Sequence, residues 1–200
     1  YHDFMNLLDQ AQKVVVKERA EESKKNEQSG QIFNLILQHI QRQKMRSSID
    51  RNILQARILA DKLRFEDLFQ QNHVEHFNVR AQNIVRFYEK AFRSQSQFQL
   101  SQERESKDQS LLVQQDFTQG YHQILLNFYV ALHYIQEQST QGVFNALVIL
   151  KNCLQKIQEA QLTQQRSQVL QTRGFQAIVE DLSENLLPKV KYALCKCHAK

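Results

Sequence analysis

Few residues in this 200-residue chain have the types and spacing that chemistry demands. His73 and His76 stand three apart around Glu75, and residues three apart on a helix share a face, so two imidazoles could meet one metal ion there. No third ligand can be identified, and histidines at a helix start are common, so the pair reads as structural. The run Cys195-Lys196-Cys197-His198 is weaker than it looks. Residues two apart on a helix point about 200° from each other, and no second Cys/His pair completes a four-ligand zinc site. It reads as a helix end with one buried and one exposed cysteine, and Cys153 reads as a small core residue. Three cysteines so placed make no disulfide framework and point to a reducing compartment. The sequence holds no G-x-S-x-G elbow, no Gly-rich phosphate loop and no Glu-x-x-His pair of a di-iron bundle. It therefore assigns no catalytic, cofactor or metal residue, and the chain reads as non-enzymatic.

The basic residues say more. Within residues 41–58 stand Arg42, Lys44, Arg46, Arg51 and Arg57 against Asp50 alone. Such a cluster is the electrostatic footprint of a surface that meets phosphates, where cations release counterions. These five are the candidate RNA or ribosome contact, the other reading being an ordinary solvated face. Without aromatic strand motifs of the RRM type, that contact would read backbone and shape. Lys189, Lys191, Lys196 and Lys200 form a second acid-free run, which reads as a solvated helix end favoured by the helix dipole. Phe117, Tyr121, Phe128, Tyr129 and Tyr134 crowd one segment. Core packing is their first reading, and a partner-binding groove their second, because aromatic anchors enrich both.

The elements that would position these groups are helices. Lys+Arg 26 against Asp+Glu 21 give a formal charge of +5, and a hydrophobic content of 42% excludes a chain disordered for most of its length. Gly 4 and Pro 1 are too few turn-formers for a sandwich or barrel, whereas 31 Gln favour helix without adding charge. No window approaches the roughly 18 consecutive apolar residues of a membrane span, so direct membrane insertion is not expected. A chain opening on Tyr1 reads as a piece of a longer protein or a processed product.

Hydrophobic spacing predicts seven helices. Phe4, Leu7, Leu8, Ala11 and Val15 mark the first, and Ile32, Phe33, Ile36, Leu37 and Ile40 the second, after a break at Ser29-Gly30. Ser47 or Ser48 is the expected cap of a third through Ile49, Ile53, Ala56, Ala60 and Leu63. Phe77, Ala81, Ile84, Tyr88 and Ala91 mark a fourth. Residues 95–110 are Gln/Ser-rich and read as a solvated linker. The aromatic segment is the fifth helix; Ser139 or Thr140 caps a sixth through Val143, Ala146, Leu147, Leu150, Leu154 and Ile157, in which Ala146, Leu150 and Cys153 have the small–large–small spacing of a hairpin's second helix. After a polar gap over residues 161–172, Pro188 should kink or divide the last helix. Short turns between such helices imply an all-α stack of antiparallel helical hairpins, a degenerate tetratricopeptide-like repeat array. The expected division is N-terminal hairpins over residues 1–94, a linker over 95–110, and a hairpin with a C-terminal helix over 111–200.

The order of the blocks carries a resemblance. FNLILQHIQRQKMRSSIDRNILQARILADKL (residues 33–63), with its Ser47-Ser48-Ile49-Asp50-Arg51-Asn52 run, resembles a stretch of the 68-kilodalton subunit of the eukaryotic signal recognition particle. QNIVRFYEKAFRSQ (residues 82–95) is similar to that family's next block. YHQILLNFYVALHYIQEQ and NALVILKNCLQKIQ resemble its aromatic helix and following hairpin, and FQAIVEDLSENLLPKVKYALCKCHAK its acidic-then-basic last helix. The likeness runs from about Phe33 to the end and departs in its Gln-rich linkers and in Pro188. It implies a non-catalytic scaffold that pairs with a 72-kilodalton partner subunit and the particle's 7S RNA. Such an assembly meets ribosomes indirectly and delivers them to the endoplasmic reticulum. The implied location is cytoplasmic, with endoplasmic reticulum association during targeting and a nucleolar stage during assembly. The alternative is a tetratricopeptide-like adaptor of another large assembly.

Overall fold

The computed structural model describes residues 2–22, 27–69, 79–103 and 109–199, and among them it is all-helical, with no strand. The helices are α1 (His2–Glu22), α2 (Glu27–Lys62), α3 (Ala81–Glu103), α4 (Gln109–Gln136), α5 (Thr140–Arg166), α6 (Arg173–Glu180) and α7 (Leu187–His198). Short 3₁₀ turns lie at Glu66–Phe69 and Gln168–Leu170. From α1 to α5 each helix packs on the next, and α7 returns onto α5.

The α3–α4 pair fixes the direction of the stack. The Ala81 backbone N–H donates to Gln136 Oε1 at 2.8 Å, the Tyr88 ring stacks on Tyr129 at 5.7 Å, and His122 Nδ1 lies 3.2 Å from Gln95 Oε1. Seven residues forward on α3 is seven back on α4, an antiparallel pairing in heptad register of the kind that keeps one seam facing its partner over several turns. The first contact also satisfies a donor in the first turn of α3 that no helix supplies from within.

α4 and α5 form a tight hairpin. Of the two caps the sequence offers, Ser139 caps α5, its Oγ accepting from the Gly142 N–H at 2.9 Å, and Thr140 is the first helical residue. A Cβ on Gly142 would stand 2.7 Å from the Tyr134 carbonyl oxygen, so glycine is required for this approach. Gln138 takes the left-handed conformation, at φ 52°, to turn the chain. Ala146, Leu150, Cys153 and Ile157 of α5 are fully buried, and Leu186, Val190, Ala193 and Cys197 meet them from the α7 side at the same spacing.

Several boundaries differ from expectation. The predicted second and third helices are one 36-residue helix, α2: Ser29-Gly30 falls in its first turn, and Ser47 is buried in its interior rather than capping a new start. Serine inside a helix costs only a few tenths of a kcal/mol relative to good helix formers, less than packing on α1 and α3 returns. The expected linker is helical as far as Glu103, with Gln95 and Phe98 buried; residues 104–108 lie outside the described residues, as does Phe77. The polar gap is helical to Arg166, where Gln161 Nε2 donates to Ser183 Oγ and Gln171 Nε2 to the Gln164 carbonyl. In α1, Leu8 and Val15 are half-buried, with Met5 and Gln12 on the same seam, whereas Phe4 and Leu7 are exposed. Packed on α2, α1 covers a stripe narrower than its sequence offers.

Pro188 does divide the last helix. Lacking a backbone N–H and crowding the preceding turn, it sits in the first turn of α7, and residues Asp181–Leu186 open into a π-helix whose last bond runs from the Leu187 N–H to the Leu182 carbonyl.

Two substitutions test the α4–α5 turn by urea unfolding. Gly142→Ala should destabilise by about 1–3 kcal/mol through the clash with the Tyr134 carbonyl. Gln138→Gly should stabilise by about 1 kcal/mol by removing left-handed strain.

Candidate functional site

The five basic residues of α2 do not form one surface. Successive residues turn by about 100°, which places Arg42, Arg46 and Arg57 on one side of the helix and Lys44 and Arg51 on the other. Lys44 faces α1, where its ammonium pairs with Asp9 and donates to Gln12 Oε1. This holds the Asp9 carboxyl below its ordinary pKa. The Arg46 guanidinium covers the Phe98 ring at 5.3 Å, Arg42 is engaged elsewhere, and Arg57 reaches the rim of a cleft.

The aromatic set gathers inside the molecule. Phe117 meets Phe175 edge-on at 5.8 Å, Phe128 is buried against Phe65 and Tyr129, and Tyr121 is 5% exposed. Tyr134 is half-buried beside His133. Of the five, Tyr121, Phe128 and Tyr129 join Tyr88 and Arg57 along a cleft of about 690 Å³ between α2, α3, α4 and the α6–α7 arm. That volume falls within the range of small-ligand sites.

The cleft is lined by paired polar groups among the aromatic rings. The Tyr121 hydroxyl donates to Asp181 Oδ2 at 2.7 Å, and Asn185 Nδ2 donates to the other oxygen at 3.0 Å. Both acceptors come from the π-helical segment, whose wider turn aims them inward. Burial raises the Tyr88 hydroxyl to about 12 against the nearby Arg57, and raises Tyr121 and Tyr129 further, Tyr121 with help from Asp181. All three phenols stay neutral at physiological pH, and Arg57 and Lys189 balance Asp61 and Asp181. What the cleft offers is hydrogen bonding and stacking in a site of no net charge.

A second concavity, about 430 Å³, runs between α2 and α3 on the side away from the cleft and carries Arg51, Lys90 and Arg93. No carboxylate lines it. Lys90 stands over the Phe87 ring at 5.7 Å, and the hydroxyls and amides of Ser48, Asn52 and Gln55 complete its floor and wall. Lys90 and Arg93 are residues that the reading of α2 alone passes over. Their signal is in the sequence, since Arg86, Lys90 and Arg93 recur at the four-then-three spacing that puts three cations on one face of a helix.

His73 and His76 lie outside the described residues, and among those described no group of three His, Cys, Asp or Glu could hold a metal ion. Cys197 is buried and Cys195 exposed, the division expected of a helix end. Cys153 is buried, its Sγ 3.9 Å from the Ile124 carbonyl, and burial pushes its thiol up to about 12. Among the described residues no helix is long and apolar enough to cross a membrane. No protein-family model, curated protein or solved structure matches the chain.

His122 is a buried titratable group that lines a separate pocket with Gln95. Burial first, and the Arg57 charge second, lower it from 6.5 to about 4, so it is neutral when folded. The unfolded chain takes up its proton first as pH falls, so stability is full above pH 6.5 and lost between 6.5 and about 4. The loss should reach about 3 kcal/mol in pH-dependent urea unfolding, and His122→Gln, which keeps a partner for Gln95, should flatten that part of the profile.

Proposed function

We propose that this chain is a non-catalytic scaffold segment of a signal recognition particle subunit, one that holds a 72-kilodalton partner subunit and the particle's 7S RNA in the cytoplasm. In this role it would help present translating ribosomes to the endoplasmic reticulum. The observation that carries the reading is the run of antiparallel helices in the order of the resembling blocks, with the α4–α5 hairpin at the aromatic helix and the Asn145-Ala146-Leu147-Val148 block. Basic charge and a groove free of carboxylates support an RNA-facing role. The neutral aromatic cleft favours the alternative, an adaptor of another assembly that recognises a protein segment.

Native affinity purification of the full-length protein separates the two. The particle reading expects 7S-type RNA and one partner subunit to copurify, with the RNA released by high salt. Recovery of protein partners without RNA would overturn it in favour of the adaptor.

A further inference from the structure

We propose that the α2–α3 groove is a clamp for the phosphate backbone of structured RNA. The inference rests on the ribonucleoprotein reading and names the surface that would meet the RNA. Three cations converge on the groove from two helices: Arg51 from α2, Lys90 and Arg93 from α3. All three are exposed. The neighbouring carboxylates Asp50 and Glu89 stay off its walls, and Asp50 instead lines a pocket on the other side of α2. The groove therefore presents an uncompensated positive field, which a polyanion would neutralise with release of its counterions.

Ser48, Asn52 and Gln55 of α2 add neutral hydrogen-bonding groups to the groove beside these cations, the kinds of side chain that contact phosphate and sugar along a nucleic-acid backbone.

The cations are spread rather than focused. Lys90 and Arg93 follow one another along α3, about 4.5 Å apart at the helical rise per residue, and Arg51 stands across the groove from them. A single phosphate on a peptide calls for donors converging on one point, whereas a line of cations flanking an open groove suits successive phosphates of a strand. The aromatic ring in the groove, Phe87, is covered by the Lys90 ammonium, so binding reads the backbone and not the sequence.

The test uses the full-length protein and a mixed-sequence double-stranded RNA, titrated over a range of salt. The triple variant Arg51→Glu/Lys90→Glu/Arg93→Glu should lose about a hundredfold or more in affinity near 0.1 M salt, and the slope of log K against log salt should fall by about two to three. A control with equal charge change at exposed sites elsewhere, Arg64→Glu/Lys151→Glu/Lys191→Glu, should leave the slope unchanged, with circular dichroism verifying the fold of both. Asn52→Asp, which keeps the shape and adds a negative charge, should weaken binding about tenfold. Equal losses in the groove and control variants, or no loss in either, overturn the clamp. So does a wild-type protein that retains a phosphopeptide but not the RNA. If the groove variant loses nothing while 7S-type RNA and the partner still copurify, the clamp falls and the subunit reading stands.

Discussion

Everything positioned in this molecule depends on the register between α3 and α4. Three contacts one heptad apart hold it: an amide capping the start of α3, two stacked tyrosines in the middle, and a buried His122–Gln95 pair toward the far end. Each is of a different kind, so no single slip of one turn restores more than part of the set. Because α2 packs on the same α3, this register also sets which residues of α2 face the cleft and which face the groove. Arg57 and Arg51 are six residues apart on one helix, yet one serves a neutral aromatic cavity and the other an uncompensated basic one.

The architecture was legible where apolar residues alone decide it. Ala146, Leu150, Cys153 and Ile157 recur at intervals that admit one helix face, and they are the inner face of α5. Pro188 marked its own break because a missing donor and a crowded ring act locally. The α5 start was legible for the same reason: a hydroxyl at Ser139 satisfies a nearby backbone donor whatever the rest of the chain does. The repeat type was not settled by these local features.

Glutamine obscured the rest. In sequence it is polar and so suggests a linker or gap, but it is a good helix former with an amide long enough to reach a neighbouring element. Gln95, Gln161 and Gln164 do this in stretches that carry few apolar residues to announce a packed helix, and Gln136 does it from the end of an apolar one. The candidate site failed to appear for a related reason. Arg42, Lys44, Arg46, Arg51 and Arg57 are close in sequence, but helical rotation scatters them, and Lys44 is taken by Asp9. The surface that gathers charge is assembled from two helices, α2 and α3, whose pairing no local pattern of either one specifies.

Double-mutant cycles across α3 and α4 measure the central claim most directly. Alanine substitutions at Gln95 with His122, and at Tyr88 with Tyr129, should each show a coupling of about 0.5–1.5 kcal/mol in urea unfolding at neutral pH. The crossed pairs, Tyr88 with His122 and Gln95 with Tyr129, stand one heptad out of register and should be additive within about 0.5 kcal/mol. Coupling in the crossed pairs and additivity in the matched ones would contradict the register, and with it the placement of both the cleft and the groove.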